Sequence, residues 1–84
     1  MKFKARVYIR LYESVSDAAG NAIKANVNKV AKEIDVSDLR IGKIIELNFE
    51  VENEEKAREQ LDLLSDRMFA NIVIEAWEYD LEVV

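Results

Sequence analysis

The stretch that decides the fold is Lys2–Tyr12, which reads KFKARVYIRLY. Apolar side chains stand at its odd positions, and basic or tyrosine side chains stand at its even positions. A period of two held over so many residues predicts a β-strand with one face toward a core. The basic even positions predict that the other face meets solvent.

Two segments have helical periodicity instead. Apolar residues recur at steps of three and four from Ala22 to Ile34, which predicts a helix over about residues 18–33. Asp17 precedes this helix and can cap its first turn. A second helix is predicted after Asn53, with a buried stripe of Ala57, Leu61, Leu64 and Met68.

Strand parity returns in residues 39–51, whose odd positions are apolar except for Lys43. At about 3.3 Å per residue a straight strand here would reach roughly 43 Å, whereas a compact chain of this length has a radius of gyration near ~12 Å. We therefore expect either a turn at Gly42 between a short and a longer strand, or one long strand offered to a neighbour. Such a turn would carry Lys43 to the surface and avoid the burial of its charge. A last strand is predicted over about residues 72–83.

This order of elements predicts an α+β fold in a single domain over residues 1–84. The expected architecture is a ferredoxin-like two-layer sandwich, with an antiparallel sheet of three to four strands and two helices on one face. The charges provide an independent check. The even positions of the first strand are basic, and those of the last strand are acidic at Glu78, Asp80 and Glu82. Opposite charges on neighbouring antiparallel strands are favourable.

Composition excludes much catalytic chemistry. The 84 residues include no Cys and no His, which removes thiol nucleophiles, thiolate metal sites and the usual general base. The net charge of −5 argues against nucleic acid, and no apolar run approaches the length of a membrane span. The two glycines stand too far apart for a phosphate-binding loop. We predict a cytoplasmic chain without catalytic, cofactor-binding or metal-binding residues.

One surface is predicted to mediate self-association. Antiparallel pairing of the first and last strands places four apolar or aromatic residues at one end of the outer face of the sheet, namely Tyr8, Tyr12, Ile72 and Ile74. An apolar patch of this kind on a small domain marks an interface. We therefore expect a homo-dimer or homo-tetramer, the alternative being that loop residues cover the patch.

A second candidate surface lies around Gly42. Arg40 and Lys43 flank this glycine, and two cations beside a bend could dock an acidic partner surface or a phosphate. The alternative is that both side chains belong to a solvated turn. The sequence alone leaves the two interpretations open.

Several short strings, taken in order, resemble one family. They are ESVSD at 13–17, LRIGK at 39–43, FANIVIE at 69–75 and WEY at 77–79. Over essentially the whole chain they resemble the small subunit of phosphoribosylformylglycinamidine synthase, the PurS family. The chain departs from the family's pattern at Ala18, where proline is frequent, and at Ile72, where proline or threonine is frequent.

The resemblance implies a non-catalytic assembly subunit of a carbon–nitrogen ligase in the fourth step of purine biosynthesis. The implied partners are a large synthetase subunit and a glutaminase subunit, with ATP and glutamine bound on those other subunits. The small subunit would bridge them and aid the transfer of ammonia. The alternative function is a small-molecule-sensing regulatory domain of the same sandwich class.

Overall fold

The fold is built on a three-stranded antiparallel sheet with the strand order β2-β1-β3, in a computed structural model that describes all residues Met1–Val84. The α+β fold is therefore confirmed, with three strands rather than four. The strands are β1 (Lys2–Leu11), β2 (Gly42–Glu50) and β3 (Glu75–Val83). The helices are α1 (Ala18–Lys24), α2 (Val27–Val30) and α3 (Glu54–Leu64), and a π-helical turn follows α3 over Ser65–Phe69.

The hydrophobic core lies between the odd-numbered face of the sheet and α3. β1 is the central strand, and four of its odd residues are at most 1% exposed: Phe3, Ala5, Val7 and Ile9. Leu61 of α3 packs against this row, together with Ala70. Half-buried side chains of the outer strands complete the core, among them Trp77, Tyr79 and Leu81 of β3.

The opposite face of the sheet is a set of charge pairs. Arg6 lies opposite Glu46 of β2 and opposite Asp80 of β3, and its Nε is 3.6 Å from the Glu46 carboxylate. Lys4 lies opposite Glu82, and Arg10 forms an ion pair with Glu78. The predicted match between a basic first strand and an acidic last strand is confirmed, although exposed pairs of this kind contribute little stability.

The prediction of a turn at Gly42, or of one overlong strand, is wrong. β2 begins at Gly42, so residues 39–41 precede the strand and no second strand is made from them. Lys43 stays in the strand opposite Ile9, on the same face as the core. It is nevertheless exposed at the start of this edge strand. Gly42 permits a close approach, since a Cβ there would lie 2.9 Å from the Ile9 carbonyl oxygen.

The single helix predicted over residues 18–33 is divided into α1 and α2. Asn26 causes the break, because its side-chain Nδ2 donates to the Ala22 carbonyl at 2.8 Å while its backbone N–H donates to Ile23. Neither helix packs its apolar side on the sheet, and Ile23 and Val30 are 50% and 90% exposed. The chain therefore extends over 51 Å with a radius of gyration of 16.6 Å, larger than the value expected for a compact chain.

The buried stripe predicted for the second helix is right for Ala57 and Leu61 and wrong for Met68, which is 72% exposed. The cause is the π-helical turn, in which the Ala70 N–H donates to the Ser65 carbonyl five residues earlier. The wider turn rotates Ser65 into the core and Met68 out of it.

The last strand starts at Glu75, three residues later than predicted, because residues 72–74 form a turn. None of the helices has the length and apolar character that a membrane span requires.

Candidate functional site

Three of the four predicted interface residues meet at one end of the sheet. The Tyr12 N–H donates to the Ile74 carbonyl, and the Tyr12 hydroxyl donates to the Ile72 carbonyl, both at 3.0 Å. The side chains of Tyr12, Ile72 and Ile74 remain exposed, by 40%, 46% and 38%. These three residues form the Tyr12 patch. The two hydrogen bonds hold the patch in place and leave its side chains exposed.

Tyr8 lies on the same face but outside the Tyr12 patch. Tyr8 precedes Tyr12 by four residues in the sequence, and the Arg10–Glu78 ion pair lies between the two tyrosines on this face. Its hydroxyl donates to Asp80 at 2.8 Å, and this hydrogen bond raises the pKa of Tyr8. The predicted patch of four is thus divided, because the charge pairs of the outer face separate Tyr8 from the others.

A carboxylate clamp joins the start of α1 to the segment before β2. Asp17 is 6% exposed, and its two oxygens accept hydrogen bonds from the N–H groups of Gly20 at 2.8 Å and Ile41 at 2.7 Å. These bonds, that from Ile41 first, lower the pKa of Asp17. The capping bond to Gly20 was predictable from the sequence. The bond to Ile41 was not, because no local pattern relates residues that stand so far apart in the chain.

The lowered pKa of Asp17 predicts a loss of stability in acid. A carboxyl group whose pKa is depressed in the folded state stabilises the fold above its unfolded pKa, near ~3.9, and loses that contribution as the pH falls through the folded pKa. We expect Asp17→Asn to be less stable than the wild type at pH 7, with a difference that shrinks below about pH 4. Urea unfolding at several pH values measures this. The exposed Asp35→Asn is the control, and a pH-independent difference for Asp17→Asn would contradict the prediction.

The predicted docking residues have unequal roles. The Arg40 guanidinium donates to the carbonyl oxygens of Tyr12 at 2.9 Å and Val15 at 2.7 Å, so it holds the loop after β1. Gly42 is required by the close approach of the Ile9 carbonyl. Lys43 is exposed and takes part in none of the ion pairs. Of the three residues, Lys43 alone presents a free charge.

The polar groups of the core face serve packing. The Tyr79 hydroxyl donates to Asp62 at 3.0 Å, and burial, followed by this hydrogen bond, raises the pKa of Tyr79. The Trp77 indole donates to Asp66 at 3.4 Å, which further ties β3 to α3 and the π-helical turn. No group of three or more acidic side chains lies close enough together to hold a metal ion. The candidate surfaces for association are the exposed Tyr12 patch and the exposed Lys43.

Comparison with known proteins identifies the family of this chain. The family model of PurS, described as phosphoribosylformylglycinamidine (FGAM) synthase, matches residues 4–83. The chain belongs to the PurS family. FGAM synthase subunit PurS of Synechocystis sp. is 38% identical over 79 residues, which cover 94% of this chain and 78% of that relative. The PurS subunit of Bacillus subtilis is 36% identical over 86 residues, and this alignment covers 98% of this chain and 95% of that relative.

Solved PurS structures have the same fold. A chain of the PurLQS structure from Thermotoga maritima superposes with a TM-score of 0.87 at 30% identity, covering 98% of this chain and 99% of that one. Methanocaldococcus jannaschii PurS, described as one of the subunits of formylglycinamide ribonucleotide amidotransferase, gives a TM-score of 0.82 at 29% identity and covers 98% of each chain. The resemblance seen in the sequence is thereby confirmed, and the chain is a PurS subunit of the FGAM synthase ligase complex.

Proposed function

We propose that this PurS chain is the non-catalytic assembly subunit of FGAM synthase, bridging the large synthetase subunit and the glutaminase subunit. ATP and the ribonucleotide bind on the synthetase subunit, and glutamine binds on the glutaminase subunit. The ammonia released from glutamine reaches the synthetase through the assembled complex. This chain then binds no cofactor of its own, forms one domain over residues 1–84 and works in the cytoplasm.

The observation that carries this proposal is the likeness, over nearly the whole of both chains, to a chain of the PurLQS structure. The composition agrees with it, because neither His nor Cys is available for catalysis. The structure agrees as well, since its exposed features are apolar and charged surfaces suited to protein contacts.

Reconstitution tests the proposal. The synthetase and glutaminase subunits are assayed for amidine formation with and without this chain, first with glutamine and then with ammonium salt as the nitrogen source. We expect omission of the chain to abolish the glutamine-dependent rate and to leave an ammonia-dependent rate. Full glutamine-dependent activity without the chain would contradict an assembly role. Loss of both rates would point to a direct part in the synthetase reaction.

Self-association through the Tyr12 patch belongs to the same proposal. We expect Ile74→Glu to raise the dissociation constant of that contact by at least ~100-fold, because contact would bury an unpaired carboxylate at a cost of several kcal/mol. Sedimentation velocity of the isolated chain measures the mass. Gln60→Glu, on the exposed side of α3, adds the same charge elsewhere and is the control. An unchanged mass for Ile74→Glu would exclude the patch as an interface.

Docking of an acidic partner surface at Lys43 is the second contact in the proposal. We expect Lys43→Glu to weaken binding to the synthetase–glutaminase pair by about tenfold or more, because charge reversal replaces an attraction by a repulsion. Lys32→Glu makes the same change at another exposed lysine. Both variants should keep the wild-type fold. Equal binding by both would leave Lys43 without a docking role.

A further inference from the structure

A groove lies between the exposed side of α3 and the edge strand β3. Leu63 is 42% exposed and Trp77 is half-buried, so the groove presents apolar surface among charged side chains. We call it the Trp77 groove. The strand order places it at the opposite edge of the sheet from β2 and Lys43. Its lining residues come from α3, the π-helical turn and β3, and they are Glu59, Asp62, Leu63, Asp66, Arg67 and Trp77.

The aromatic ring of Trp77 is not paired with a cation, although its neighbour is. Trp77 and Tyr79 are stacked, with their ring centroids 6.0 Å apart and their planes 8° apart. The Arg58 guanidinium carbon lies 6.0 Å from the Tyr79 centroid, within the range of a cation–π contact. No cation of the chain takes the same position over Trp77. Indole is nevertheless the aromatic ring that attracts cations most strongly.

Two carboxylates of the Trp77 groove are held in place by neutral donors. The Tyr79 hydroxyl donates to Asp62, and the Trp77 indole N–H donates to Asp66. Neither aspartate takes part in an ion pair. Arg67 is the one basic residue of the lining, against three acidic ones. The groove therefore carries uncompensated negative charge beside an aromatic ring.

The π-helical turn that carries Asp66 is unfavourable for packing. It leaves the Ser65 Oγ atom buried without a hydrogen-bond partner, which is destabilising, and it exposes Met68 to solvent. Turns of this kind are frequent at functional sites. A regular helix would change the direction of the residues after Ser65, so the shape of the groove depends on the turn.

We propose that the Trp77 groove binds an arginine-bearing segment of a partner subunit. The guanidinium lies over the Trp77 ring and pairs with Asp62 or Asp66, and the apolar part of the side chain contacts Leu63. Arginine fits better than lysine, because its planar group stacks on aromatic rings and pairs with carboxylates through two N–H groups. The inference rests on the assembly role proposed above and names one of its contacts.

A second copy of the chain is a poorer occupant of the groove. In a contact with two-fold symmetry the same surface meets itself, so the carboxylates of one Trp77 groove would oppose those of the other. Like charges brought together in an interface are costly. A surface that supplies an arginine therefore differs from the groove itself, and the synthetase and glutaminase subunits are the partners that the proposed function names.

Fluorine NMR of the full chain tests the occupation of the groove. Trp77 is the only tryptophan, so labelling with 5-fluorotryptophan gives one signal, which reports on the groove. Unlabelled synthetase and glutaminase subunits are added separately and then together. We expect the chemical shift of this signal to change with at least one of them, whereas broadening alone reports the slower tumbling of a complex. A bound chain whose signal keeps its chemical shift would overturn the proposal.

A pair of double variants tests the charge. Asp62→Asn with Asp66→Asn keeps the shape of both side chains and an acceptor for each neutral donor, so the fold should persist. We expect it to raise the dissociation constant for the partner by about tenfold or more and to make binding less dependent on salt. Asp38→Asn with Glu52→Gln removes the same two charges at exposed residues that form no ion pair, and it is the control.

The outcomes separate this inference from the proposed function. If the groove variant binds its partners as the control does, in a complex that is fully active with glutamine, the groove proposal fails and the assembly role stands. If the isolated chain sediments as an oligomer that the groove variant alone dissociates, the occupant is a second copy, and the proposal fails as well. Weaker partner binding by the groove variant, with an unchanged mass of the isolated chain, supports it.

Discussion

Leu61→Ala should lower the free energy of unfolding by about 2–5 kcal/mol, because it removes buried apolar surface and leaves a cavity. Leu61 is 1% exposed and packs on the central row of β1, where Val7 and Ile9 are equally buried. Domains of this length have a total stability of roughly 4–13 kcal/mol. The variant therefore loses a large share of its stability, and glutamine-dependent activity should fall with the folded fraction.

Leu63→Ala is the matched control for this variant. Leu63 lies on the same helix and is 42% exposed, so its truncation should cost well below ~1 kcal/mol. Urea unfolding followed by circular dichroism measures both variants. Equal losses for Leu61→Ala and Leu63→Ala would contradict the assignment of the core to the space between β1 and α3.

Gly20→Ala should be destabilising even though alanine favours helices over glycine by about 1 kcal/mol. A Cβ at Gly20 would lie 2.7 Å from both the Asp17 Oδ2 atom and the Leu39 carbonyl oxygen. Overpacking of this kind costs about 1–3 kcal/mol, and here the displaced atom is also the acceptor of the Ile41 N–H. The steric cost and the loss of the clamp exceed the gain in helix propensity.

The same substitution to alanine at the neighbouring exposed residue, Asn21, should raise the stability of the fold. Asn21→Ala also introduces alanine into α1, and the Asn21 side chain is in solvent, so we expect a gain of a few tenths of a kcal/mol. Thermal unfolding of both variants measures the difference. A Gly20→Ala variant as stable as Asn21→Ala would show that the clamp tolerates a methyl group and that its geometry is not needed for the fold.

Asp17 illustrates how far local sequence signals reach. An acidic residue directly before an apolar periodic segment is a capping signal, and the bond to Gly20 follows from it. The second bond joins Asp17 to Ile41, and it exists because the end of β1 and the start of β2 are brought together by the sheet. The role of Arg40 was equally hidden from the sequence. Its guanidinium donates to carbonyl groups of the loop after β1, which lies far from Arg40 along the chain.

The errors in the helices have the same origin. The apolar period from Ala22 to Ile34 predicts one helix, and it hides the competition between the Asn26 side chain and the Asn26 backbone N–H for the Ala22 carbonyl. The period through Met68 likewise hides a π-helical turn, which changes the face that each later residue presents. A prediction from apolar spacing assumes the same number of residues in every helical turn. It therefore misses a break such as that at Asn26 and a wider turn such as that over Ser65–Phe69.

What the sequence determined by itself was the sheet and the core of this PurS chain. The strict alternation of Lys2–Leu11 and the complementary charges of β1 and β3 specify parity and pairing, because a shift of one residue would move every apolar side chain to the wrong face. The tertiary structure alone decided that β2 and β3 are the edges of the sheet, that Lys43 stays within β2, and which residues form the Tyr12 patch. These features depend on which surfaces remain uncovered after packing, and that is a property of the whole chain.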